Sequence, residues 1–183
     1  LSSILLIAGI FSYQLANRST ARVSILDVDD GISVVVTANR QTAIIGCNAY
    51  SDYTTYQYLK GHGIHNIDYL QPLSDETIEY QNLAKLNEKF QTKNFILPNG
   101  QYFAGDLEKS LEEVEKISYY EKSAKTILND DVTIELHSDA KGNYTVLMVK
   151  EIRILILSSE YDLTNIDLDL NDIDILITDT VPQ

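Results

Sequence analysis

The chain has 183 residues, enough to bury a full core as one domain, with 44% apolar and 22% charged residues, an ordinary globular balance. Its formal net charge of −13 repels a phosphate backbone, so direct, sequence-independent nucleic-acid binding is disfavoured and the charge serves solubility. A single cysteine, Cys47, excludes an internal disulfide framework and any cysteine-based zinc site.

The first segment, "LSSILLIAGIFSYQL" (residues 1–15), carries no charge and runs into Arg18 and Arg22. As a helix it would reach about 22 Å, short of a bilayer's hydrocarbon core. It also lacks the basic leader of a signal peptide. Residues 1–20 are therefore expected to be the end of a membrane helix or a linker, or else a packing helix, with the domain proper over 21–183.

Strands come next. Residues 23–28 and 32–38 are β-branched runs around an acidic turn, and 42–47 is a third run after Asn39 and Arg40. Their spacing predicts an antiparallel meander. The turn holds Asp27, Asp29 and Asp30 beside Gly31, a weak candidate for oxygen ligation of Ca²⁺ or Mg²⁺. The alternative is a turn whose Asp side chains satisfy nearby N–H groups. Cys47 ends the third run and reads as a small core residue, not a nucleophile.

"SDYTTYQYLKG" predicts a helix capped by Ser51 or Asp52, with Tyr53, Tyr56 and Leu59 on one face and Gly61 as its stop. A short strand over 67–70 follows. "SDETIEYQNLAKLNEKF" predicts a second helix, capped by Ser74 or Asp75, with Ile78, Leu83, Leu86 and Phe90 inward. "NFILPNGQYF" is strand, turn, strand about Pro98, Asn99 and Gly100. "GDLEKSLEEVEKISYYEKSAK" predicts a third helix, capped by Asp106, striped by Leu107, Leu111, Val114 and Ile117, with a Glu112–Lys116 pair. Strands over 132–137, 144–149, 152–157 and 173–177 close the chain, the first two joined by a hairpin turn in "DAKGNY". No glycine-rich phosphate loop and no glycine-flanked strained serine appears, so nucleotide binding and Ser-His-Asp chemistry are unsupported. His62 and His65 read as solvated loop residues, and His137 as an edge residue. This order fits a mixed α/β sandwich better than a doubly wound sheet.

Four segments resemble the C-terminal metallo-β-lactamase-like domain of ComEC-type competence proteins, membrane channels of bacterial DNA uptake. "SILDVDDGISVVV" is similar to that family's opening Leu-Asp-Val-Gly-Gln-Gly-Asp and strand. "TAIIGCN" stands where the family has an apolar strand ending Asp-Gly-Gly. "YLKGHGIHNIDYL" resembles the signature Tyr-Leu-Arg-x-x-Gly-Ile-x-x-Ile-Asp, the most specific match. "RILILSS" and "DIDILITDT" are similar to the late strands. The resemblance implies an α/β fold, a metallo-β-lactamase-like αβ/βα sandwich. It also implies a domain outside the cytoplasmic membrane, packed on the membrane channel domain of the same protein or on another protein partner. The family's domain continues beyond the position matching Thr180, so a chain ending at Gln183 is expected to lack a closing element and leave a sheet edge uncovered.

The departures lie at the metal positions. The family's His-x-His-x-Asp-His falls on Ser74, Glu76, Ile78 and Glu79, its late bridging Asp on Ser159 and its final His on Thr180. Hydrolysis in that superfamily needs imidazoles and carboxylates to hold zinc-like ions that activate water. Serine and threonine are poor ligands and isoleucine is none. The expectation is a domain with no metal cofactor and no catalytic residues, in a structural or docking role. Two other readings stay open: a phosphodiester hydrolase with ions on a divergent Asp/Glu site, and an independent binding module.

Overall fold

The computed structural model describes residues 20–28, 31–47, 51–99, 109, 111–112, 114–139, 142–158, 161 and 168–178. Strands β1 (Arg22–Val28), β2 (Gly31–Ala38) and β3 (Gln41–Ile45) form the expected antiparallel meander. Asn39 and Arg40 join β2 to β3 with φ of 49° and 66°, the left-handed pair that a two-residue hairpin requires. Helix α1 (Ser51–Gly61) then carries the chain over to β4 (Asn66–Gln71), and α2 (Thr77–Lys89) carries it to β5 (Gln91–Pro98). These strands, with β6 (Lys116–Tyr120), are parallel, and the first sheet runs in sequence order from β1 to β6.

The second sheet is β7 (Ser123–Asn129), β8 (Val132–Asp139), β9 (Gly142–Val149) and β10 (Ile152–Leu157), all antiparallel, with β11 (Ile175–Thr178) parallel to β10 at the edge. The two sheets are stacked. Val34, Val36, Ala43 and Ile45 of the first pack with Leu128, Ile134, Leu147, Ile154 and Ile156 of the second. Val35 and Ile44 point the other way, into a core with Leu59 of α1, Leu83 and Leu86 of α2, and Phe95. Burial on both faces explains why β2 and β3 are continuous apolar runs without alternation. The mixed α/β sandwich is as expected.

Several local expectations are corrected. Residues 116–120 form a strand, not the end of a third helix. Ile117, Tyr119 and Tyr120 suit a pleated surface, and pairing with β5 from Asn94 to Pro98 outweighs the helical spacing. Glu121 and Lys122 then pass the chain from one sheet to the other. Asp106 and Leu107 lie outside the described residues. Helix α2 begins later than expected, with Glu76 at its N-cap and no side-chain capping bond. Ile78 faces outward, 41% exposed, and Glu79 faces inward with Leu83 and Leu86. On α1 the buried face is Ser51, Thr55 and Leu59, while Tyr53 is exposed. His137 sits inside β8, flanked by β7 and β9 and stacked on Tyr144 at 4.6 Å, so it is not an edge residue. Among the described residues no helix is long and apolar enough to cross a membrane, and residues 1–15 lie outside them.

Candidate functional site

The carboxyl ends of β3 and β4 open into two connections that meet over the start of α2. Gly46 and Cys47 leave β3, and the N–H of Gly46 donates to the Gln71 carbonyl at 3.0 Å. Leu73 and Ser74 leave β4. Backbone groups that depart a sheet lose their ladder partners and need new ones once buried. Glu79, on the first turn of α2 and fully buried, supplies them. Its Oε1 accepts the N–H of Cys47 at 3.0 Å and of Leu73 at 2.7 Å. Its Oε2 accepts the N–H of Ser74 at 2.7 Å and the Ser74 hydroxyl. Asn82, one turn on, donates to the Cys47 carbonyl at 3.0 Å. One carboxylate thus ties both connections to the helix.

Burial pushes the Glu79 carboxyl up to about 7, against the Ser74 hydroxyl and the three N–H donors, which favour the ionised form. Cys47, fully buried beside Ser51, has its thiol pushed up to about 12 by burial, with Glu79 and Asp52 adding to the effect. That thiol is a core group without nucleophilic character. Across the cleft, Asn143 of β9 donates to Asp75 at 2.7 Å, linking the second sheet to the β4–α2 connection. Tyr120, at the end of β6, is buried with an unpartnered hydroxyl. Burial first, then Asp75 and Glu79, hold that hydroxyl well above the usual phenol range.

Of the four early positions set against metal ligands by the resemblance, Ser74 and Glu79 meet here. The four do not fit a metal. Both oxygens of Glu79 are engaged by protein donors, the Ser74 hydroxyl donates to that carboxylate, Ile78 is apolar and outward, and Glu76 sits at the N-cap with its backbone N–H on the Ser74 hydroxyl at 3.4 Å. Among the described residues no three His, Cys, Asp or Glu side chains converge as an ion cage. Ser159 and Thr180 lie outside the described residues. Asp27 stands on β1 opposite Ile32, and Asp29 and Asp30 lie outside the described residues.

Sequence reasoning set Glu79 at a degenerate metal-ligand position and missed its part as an acceptor for two loops. The available signal was an acid five residues after Ser74, where a strand hands over to a helix. Asp68 was missed as well. Buried on β4, it accepts the Thr42 N–H at 2.8 Å and pairs with Lys93 at 2.6 Å, fastening β3, β4 and β5 together.

No protein-family sequence model matches the chain, and no curated protein matches it by sequence. Solved structures do. A metallo-β-lactamase from Cronobacter sakazakii is similar with a TM-score of 0.62 at 10% identity, over 86% of this chain and 74% of that one. MEM-A1, a subclass B3 metallo-β-lactamase from a soil metagenome library, has a TM-score of 0.63 at 8% identity, over 87% and 77%. The Flv1 flavodiiron core of Synechocystis has 0.53 at 14%, over 76% and 42%. The class these define is the metallo-β-lactamase fold, and this chain has that fold.

Proposed function

We propose that this chain is a non-hydrolytic metallo-β-lactamase-fold domain. Its role is to stabilise or dock onto the channel of a membrane-bound DNA-uptake protein, outside the cytoplasmic membrane. The observation that carries the first half is Glu79: the side chain aligned with the last metal ligand of the family motif is turned inward and spent on four protein donors. A carboxylate so engaged cannot ligate an ion without freeing buried N–H groups, each costing about 1–3 kcal/mol. The second half rests on the resemblance of "YLKGHGIHNIDYL" and its neighbouring segments to ComEC-type domains.

Elemental analysis of the purified chain, with a nuclease assay in added Mn²⁺, tests the loss of catalysis. The expected result is no stoichiometric zinc or manganese and no cleavage of DNA. Stoichiometric metal, with cleavage abolished in Glu79→Ala, would instead establish a divergent phosphodiester hydrolase. Crosslinking in native membranes tests the setting. Recovery of a channel segment is expected, and its consistent absence rejects the docking role.

A further inference from the structure

The layer between the two sheets is apolar along β2 and β3 but turns polar at the carboxyl ends of β4 and β6. Gln71 ends β4 opposite Ile45, which packs against the second sheet. Paired residues on neighbouring strands share a face, so the Gln71 amide points into the same layer. Tyr69, two residues earlier, packs there as well. Tyr120 ends β6 in a cluster with Ile96 of β5 and Leu136 of β8. From the second sheet Asn143 of β9 reaches across, its Nδ2 donating to Asp75 at 2.7 Å.

Gln71, Tyr120 and Asn143 are all buried. Four of their polar atoms have no protein hydrogen-bond partner among the described residues: Gln71 Oε1 and Nε2, the Tyr120 hydroxyl and Asn143 Oδ1. Another buried amide shows what the fold does elsewhere. Asn82 donates to the Cys47 carbonyl at 3.0 Å and accepts from Lys85 at 3.2 Å. Polar atoms left unpaired in an interior oppose folding, and buried water is the usual remedy, each molecule making about three hydrogen bonds. The free groups here suit water because they are mixed. Gln71 Nε2 and the Tyr120 hydroxyl donate, and Gln71 Oε1 and Asn143 Oδ1 accept. An anion is disfavoured: burial, then the charges of Asp75 and Glu79, already hold the Tyr120 hydroxyl well above the usual phenol range. A larger guest is disfavoured because all three side chains are closed to solvent.

We propose that Gln71, Tyr120 and Asn143 hold ordered water between the sheets, bridging the ends of β4 and β6 to β9. This water extends the link that Asn143 and Asp75 make directly. The inference does not depend on whether Glu79 can ligate a metal.

The test is ¹⁷O relaxation dispersion on the folded full chain, whose amplitude counts water held inside for longer than the protein takes to tumble. Gln71→Met and Tyr120→Phe keep the size of each side chain and remove its polar atoms. Each should lower the amplitude by about one water molecule. Circular dichroism verifies that each folds, and either one alone suffices for the comparison. Tyr119→Phe, at an exposed position on the same strand, should leave the amplitude unchanged. An unchanged amplitude in both buried variants, with a melting temperature raised by the loss of orphaned polar atoms, would overturn the proposal. So would an equal fall in Tyr119→Phe, or a native amplitude no greater than that of the chain in urea.

Discussion

Two demands oppose each other at Glu79: burial disfavours its charge, and four donors favour it. With the carboxyl raised from its ordinary 4.5 to about 7, the folded chain keeps a proton between those values that the unfolded chain has released. This group's stabilising contribution is therefore complete below about pH 4.5 and is lost as the pH rises through 7. Glu79→Gln places an amide N–H₂ against the Ser74 donors and should cost about 2 kcal/mol at pH 5 in urea unfolding. That deficit should narrow as the pH is raised through 7. A deficit independent of pH would mean that the carboxyl does not titrate in this window. Cys47 gives a second check at this scale. With its thiol buried and raised to about 12, iodoacetamide at pH 8 should label it only after denaturation, and rapid labelling of the native chain would contradict the packing.

Among the elements, the two connections at the carboxyl ends of β3 and β4 fit closely. Gly46 has φ 74°, and a Cβ there would stand 3.1 Å from the Leu73 Cβ and 3.3 Å from the Ile32 carbonyl oxygen. Gly46→Ala should therefore cost about 2 kcal/mol, from backbone strain and crowding together. Thermal unfolding measures it, and a loss below about 0.5 kcal/mol would show that the connection can move aside. The same scale shows where sequence patterns stop. Residues 32–38 were legible because β-branched runs have few alternatives. Residues 116–120 were not: Leu111, Val114 and Ile117 have helical spacing, and only the exposed edge of β5 decides that Ile117 belongs to a strand. Ile78 failed for a different reason, since its spacing from the buried residues was itself wrong for one face. At about 100° per residue Ile78 falls roughly 80–140° from Leu83 and Leu86, whereas Glu79 falls within about 40° of both and shares their buried face.

Taken whole, the molecule carries an excess of thirteen negative charges, with Lys93–Asp68 and Lys125–Glu135 among its ion pairs. Self-repulsion should then weaken the folded state at low ionic strength. Raising NaCl from about 10 to 150 mM, which shortens the screening length from roughly 30 to 8 Å, should raise the melting temperature by a few degrees. A flat or falling response would show that the acids are balanced locally.

The residues alone determined the strand-rich outline and the mixed α/β sandwich, since apolar periodicity belongs to neighbouring residues in the chain. The tertiary structure decided the rest: β6 as the last strand of the first sheet, Glu79 as acceptor for two loops, and Asp68 as the tie between β3, β4 and β5. Each of these depends on partners far apart in sequence, such as Cys47 with Glu79 and Thr42 with Asp68, 32 and 26 residues away. Which distant donor meets a buried carboxylate is set by how strands stack and where connections cross, and no local pattern records that.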